Sequence, residues 1–126
     1  MSEAIFDTSI LVDHLRGFEK AFNLIEKVRK GSIIGYVSML TVAELFAGKQ
    51  LDDEKSIMLE DLLNLFNKIN VDEQIAKSAG RFRRTYDVEL ADAIIGATAS
   101  NLNCKVLTAN FKDFEKIKEI QVERPY

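Results

Sequence analysis

The chain has 126 residues and a mass of 14.3 kDa, so residues 1–126 are expected to form one domain of ordinary size. Its 47% apolar and 29% charged residues exclude a disordered polymer, and no apolar run approaches the ~20 residues that span a bilayer. Seventeen Lys and Arg against twenty Asp and Glu give a net charge of −3 and a pI near 5.2, which excludes a global positive field as the way to hold a polyanion.

Met1-Ser2-Glu3 carries an acid where a secretory leader would carry a base. Ala4-Ile5-Phe6 is a short apolar run that stops at Asp7, and Thr8-Ser9 opens a helical stretch to Leu15. Gly17 ends it. Phe18 to Lys30 repeats Phe18, Phe22, Ile25 and Val28 at helical spacing, with Gly31 as its C-terminal cap. Ile33 to Ser38 predicts a buried strand, and Thr41 to Lys49 a helix ending at Gly48. Asp52-Asp53-Glu54 places acids in the first turn of the next helix, whose apolar face is Ile57, Leu59, Leu62, Leu63 and Phe66. Ile69-Asn70-Val71 is a minimal strand. Asp72 to Tyr86 has an acidic start and a basic end, as the helix dipole favours. Glu89 to Asn101 is a nearly all-apolar helix, hence central. Lys105 to Thr108 is a strand, and Ile117 to Val122 holds one more. This alternation predicts a mainly parallel sheet with helices on both faces, whose ligands collect outside the carboxyl ends of the strands.

Three carboxylates stand out against that plan. Asp7 follows the first strand, where it can cap the next helix, although Thr8 or Ser9 could cap equally well. Glu44 fits a capping box begun at Thr41. Asp92 is different. It is embedded in Leu90-Ala91-Asp92-Ala93-Ile94-Ile95-Gly96-Ala97, with no Lys or Arg within a helical turn; the nearest local base is Arg84. An unpaired carboxylate taken out of water there costs several kcal/mol, so a cation, a proton or a distant partner must compensate it. After the late strand, Asn110 and Asp113 sit on the edge where Asp7 sits. If these groups converge, like charges cannot all ionise without compensation. Hard oxygen ligands without His or Cys select Mg²⁺ or Mn²⁺, and such an ion suits phosphodiester hydrolysis.

Asp7-Thr8-Ser9 with Leu11-Val12-Asp13, Ser38 to Leu45, Ala91 to Ala99, and Leu107-Thr108-Ala109-Asn110 with Asp113-Phe114 occur in order along the chain. In this the chain resembles the PIN-domain family, and more narrowly the VapC-type toxins of toxin–antitoxin modules. The resemblance implies a three-layer α/β/α fold and a Mg²⁺- or Mn²⁺-dependent endoribonuclease. It implies Asp7 and Asp92 as metal ligands and Glu44 holding a metal water or orienting the nucleophile, with Thr8 and Thr108 as supporting hydroxyls. The family's fourth acidic position falls on Asn110, a departure; Asn110 can offer its carbonyl oxygen, or Asp113 can stand in one turn later. The connection Arg84 to Glu89 is short and lacks the glycine-containing loop common in relatives. The resemblance also implies a homodimer and a small antitoxin whose basic segment covers the groove. The helices Phe18 to Lys30 and Glu54 to Lys68 offer apolar surface, which core packing explains as well.

Lys77, Arg81, Arg83 and Arg84 are the only dense basic patch, and its three arginines are candidates for RNA phosphates, with helix-end solvation as the alternative. A catalytically silent PIN-like binding module remains open because of Asn110. A dehalogenase-type phosphotransferase needs an Asp where Ser9 stands, and a receiver needs a late Lys after a strand. His14, the only histidine, is expected as a surface or packing residue. The lone Cys104 reads as a small buried hydrophobe and excludes a disulfide framework and a cysteine zinc cage. A reduced, cytoplasmic setting is expected. Phe111 and Phe114 anchor their loop on the core, or offer a ring to a base.

Overall fold

Side chains alternate across a strand, so one short apolar strand can serve two layers. The computed structural model, which describes residues 2–126, shows this along its first strand. Ala4 and Phe6 pack into one hydrophobic cluster and Ile5 into another, all three fully buried. In chain order the elements are β1 (Ser2–Phe6), α1 (Thr8–Leu15), α2 (Glu19–Arg29), β2 (Ile33–Ser38), α3 (Met39–Phe46), α4 (Asp53–Leu63), β3 (Asn67–Ile69), α5 (Glu73–Tyr86), α6 (Leu90–Leu102), β4 (Lys105–Leu107), α7 (Phe111–Phe114) and β5 (Val122–Glu123). The sheet runs β3-β2-β1-β4-β5, and every neighbouring pair is parallel.

One cluster lies under α1, α2, α3 and α4 and the other under α5 and α6, giving the three-layer α/β/α arrangement. The order reverses at β1, which sits between β2 and β4. A crevice therefore opens beyond the carboxyl ends of β1 and β4.

Local chemistry sets most boundaries. Asp52 and Asp72 cap α4 and α5, each accepting a backbone N–H three residues on at 2.8 Å. Gly31 takes φ of +82° just past Lys30, the C-cap of α2, a conformation that costs other residues strain. The last strand is Val122–Glu123 and not Ile117 to Val122, because pairing with Val106 and Leu107 sets it, and three further expectations need correction. α3 begins at Met39 and not Thr41, because Ser38 both ends β2 and caps the helix, its Oγ accepting the Leu40 N–H at 3.0 Å. The third strand is Asn67–Ile69 and not Ile69 to Val71, because pairing opposite Tyr36 to Ser38 sets its register. Ile57 is 63% exposed and is no part of the buried face of α4. In the short α5–α6 connection, Asp87 takes the left-handed conformation (φ 55°) and Arg83 Nη1 donates to Val88 O at 2.8 Å.

Gly35 in β2 marks the tightest packing. A Cβ there would lie 2.7 Å from Cδ1 of Phe66, whose ring stands edge-on to Phe6 with centroids 5.0 Å apart. Gly35→Ala is expected to destabilise the protein by about 1–3 kcal/mol, as overpacking does, read as a lower urea midpoint with an unchanged slope. No helix among the described residues is long and apolar enough to cross a membrane.

Candidate active site

Asp7 leaves the central strand pinned at its backbone, its N–H donating to Leu107 O at 2.9 Å. It occupies the N-cap position of α1 but its carboxylate caps nothing. Instead Asp7 Oδ2 accepts from Ser9 Oγ at 2.7 Å and from Thr108 Oγ1 at 2.9 Å. Ser9 Oγ in turn accepts the Ala109 N–H at 3.1 Å, and Thr108 Oγ1 the Asn110 N–H at 2.9 Å. The turns after β1 and β4 are thus tied through one buried carboxylate oxygen, and Oδ1 has no donor among the described residues. Asp7 is 6% exposed and Thr108 fully buried, which makes each of these bonds costly to lose.

Glu44 projects from α3 towards the same place. Its Oε1 accepts from Thr8 Oγ1 at 2.8 Å, and that hydroxyl lies 3.0 Å from the buried Thr41 Oγ1. The capping box begun at Thr41 is therefore not formed: Thr41 lies inside the helix, and Glu44 engages α1. Asp92 enters from the first turn of α6, half-buried and with no hydrogen bond from any described residue. Burial, reinforced by Asp7, Asp113, Glu89 and Glu44, pushes its carboxyl up to about 7. The helix N-terminus favours the ionised form, so loss of water and anionic crowding outweigh the dipole.

These acids line one cleft of about 400 Å³, whose walls include Thr8, Ser9, Asp13 and Asn110. Among the described residues no three carboxylate, imidazole or thiol groups stand close enough together to hold a metal ion between them. A hard divalent ion that keeps several waters needs only one or two carboxylates, and the cleft offers those. The all-oxygen donors, and an Asp92 with no cationic partner among the described residues, fit Mg²⁺ or Mn²⁺ and not zinc.

Asn110 lines the cleft; Asp113 does not, and lines a neighbouring depression from which it acts on Asp92 through charge. Neither serves as a side-chain cap, although Asn110 holds the cap position of α7. The structure does not bring Arg81, Arg83 or Arg84 to the cleft. Arg81 is held in a two-bond pair with Glu119 at 2.7 and 2.9 Å, which Tyr86 OH joins at 2.7 Å. That arrangement drives the Glu119 carboxyl down to about 2. Arg83 clasps the Val88 carbonyl, and Arg84 is exposed. Sequence reasoning did not give Ser9 its place on Asp7; the signal was a hydroxyl two residues beyond the acid, read as a spare cap. His14 is a packing residue, stacked on Phe22 with centroids 5.8 Å apart. Phe114 is fully buried and Phe111 half-buried. Burial pushes the Cys104 thiol up, away from reactivity.

The sequence model of the PIN domain matches residues 4–120. This chain belongs to the PIN domain family. As a PIN domain it is 32% identical to Ribonuclease VapC19 of Mycobacterium tuberculosis, over 93% of this chain and 96% of that protein. It is 22% identical to Ribonuclease VapC2 of Methanocaldococcus jannaschii, over 96% and 93%. Among solved structures, a chain of a toxin–antitoxin complex from Klebsiella pneumoniae superposes with a TM-score of 0.82 at 32% identity, covering 98% of each chain. A chain of VapBC2 from Rickettsia felis, crystallised on a fragment of promoter DNA, shares the PIN fold at a TM-score of 0.81 and 20% identity, covering 96% and 97%.

Proposed function

We propose that this PIN domain protein is a divalent-metal-dependent endoribonuclease and the toxin of a type II toxin–antitoxin pair. The observation that carries the reading is Asp92, a half-buried acid without a cationic partner among the described residues, raised to about 7 beside Asp7 and Glu44 in one cleft. Identity to a protein named a ribonuclease supports the chemistry. Likeness to a chain from a toxin–antitoxin complex supports the partner.

Asp7 and Asp92 would hold the Mg²⁺ or Mn²⁺, directly or through water, with Glu44 on a water beside it. When bound, the ion supplies positive charge to a phosphoryl oxygen and acidifies a water. Ser9 and Thr108 keep Asp7 Oδ2 turned inward, so Oδ1 faces the cleft. Thr8 holds Glu44 by Oε1, leaving Oε2 to orient the attacking water and accept its proton. Asn110 stands at the fourth position with its amide oxygen, and Asp113 adds negative charge from the side. Hydrolysis breaks one phosphate ester bond, leaving a phosphate on one RNA fragment and a hydroxyl on the other. A basic antitoxin segment suits the same anionic cleft, and the active form is a homodimer in the cytoplasm.

Purified protein is expected to cleave RNA in Mg²⁺ or Mn²⁺ and to lose that activity in excess chelator, regaining it when the ion is restored. The departure at Asn110 favours one other reading, a silent RNA- or antitoxin-binding module. RNA binding without cleavage in either ion would establish that reading in place of the first.

A further inference from the structure

A nuclease of net charge −3 with a carboxylate-lined cleft must hold a polyanion by cations placed locally. Of its seventeen Lys and Arg, Arg29, Lys77, Arg81 and Lys105 each pair with an acid, so place around the cleft, and not pairing alone, selects the others. Arg16, Lys112 and Arg124 pair with none among the described residues, and these three stand around the site. Arg16 follows α1 on the face that carries Thr8 and Val12, at spacings of four, and lines the cleft. At ~1.5 Å of rise per residue its Cα lies roughly 12 Å along the helix from Thr8.

Lys112 and Arg124 line a depression of about 540 Å³ that shares Ala109 and Asn110 with the cleft. Half-buried Phe111 forms part of its wall. Asp113 and Glu115 share that wall without pairing with either cation. Arg124 leaves β5 at the carboxyl edge of the sheet, where the Thr108 N–H donates to Glu123 O at 3.1 Å. Arg16 lines the cleft and not the depression; Lys112 and Arg124 line the depression and not the cleft. The acids thus lie on a continuous surface between two cationic positions.

We propose that a single RNA strand crosses this surface, with its scissile phosphate at the acids. Arg16 takes a phosphate on one side, Lys112 and Arg124 take phosphates on the other, and a base stacks on Phe111. A single strand suits the depression because its bases are free to meet a ring. The inference rests on the ribonuclease reading and goes beyond it by naming the path.

The test is anisotropy of a fluorescein-labelled uridine dodecamer in Mg²⁺, measured across a salt series in an Asp92→Asn background to suppress cleavage. Arg16→Gln, and Lys112→Gln with Arg124→Gln, are expected to weaken binding severalfold. Each lost contact lowers the salt slope by about 0.7, as expected for a single strand. Phe111→Leu should weaken binding and leave the slope unchanged, while Arg84→Gln alters neither. Unchanged strength and slope in the Arg16 and Lys112/Arg124 variants, with RNA still cleaved by the parent, overturns the path and leaves the nuclease. A parent that neither binds nor cleaves RNA overturns both.

Discussion

Asp92→Asn is expected to lower RNA cleavage by about 10²–10³-fold while making the metal-free protein more stable. The two effects share one cause. Asp92 is crowded by Asp7, Asp113, Glu89 and Glu44 and half removed from water, so its ionised form is disfavoured, with a carboxyl near 7. The amide removes charge that the fold tolerates poorly, and with it charge that the ion needs; losses of this size follow when an electrostatic group at a reacting centre is deleted.

The pH dependence has a definite sign. Below about pH 4 the carboxyl is protonated in both folded and unfolded chains and has no effect on stability. As pH rises from about 4 to about 7, the unfolded chain releases a proton that the folded chain retains, so the parent loses stability. Above about 7 the loss is complete. Three units at ~1.4 kcal/mol each would give ~4 kcal/mol, and an open, solvated cleft reduces that to about 1–2 kcal/mol. Urea melts in chelator should show the gap between Asp92→Asn and the parent opening across that window and constant above it. A gap independent of pH would remove Asp92 from the role given to it. With Mg²⁺ or Mn²⁺ present the ordering should narrow, because the parent binds the ion more tightly as Asp92 gives up its proton.

Asp7→Ala is expected to abolish cleavage to a similar degree with the opposite effect on stability. Asp7 is 6% exposed, and its Oδ2 receives the Ser9 and Thr108 hydroxyls. Removing it leaves both donors unsatisfied and loosens the tie between the turns after β1 and β4. A loss of about 1–3 kcal/mol follows, measurable by chemical denaturation. Two acids of one cleft therefore separate by the sign of their effect on folding, which a general weakening of the fold would not produce.

The layers were legible because strand alternation and helical periodicity are local. Ile33–Ser38 reads as a buried strand from six consecutive residues, and the acids that begin at Asp52 and Asp72 announce α4 and α5 through the helix dipole, which acts within a turn. The errors at β3, Thr108 and Arg81 arose where a residue's partner lies far along the chain. The β3 boundary depends on pairing with Tyr36 to Ser38. The Thr108 hydroxyl meets Asp7 and Ser9 across about a hundred residues, and Glu119, which holds Arg81, lies 38 residues from it. The carboxylates were conspicuous for the converse reason: an acid in the apolar run around Asp92 conflicts with local folding preference, and such conflicts are where function is expected.

The central claim is that Asp7, Glu44 and Asp92 serve one divalent ion. Crystals grown in Mn²⁺ and measured at the manganese absorption edge test it without recourse to activity. The account predicts an anomalous peak in the cleft within ligand or water-bridged distance of Asp7 and Asp92, and its loss in Asp92→Asn. A manganese-saturated crystal with no peak there, or with the ion bound away from both acids, would contradict it.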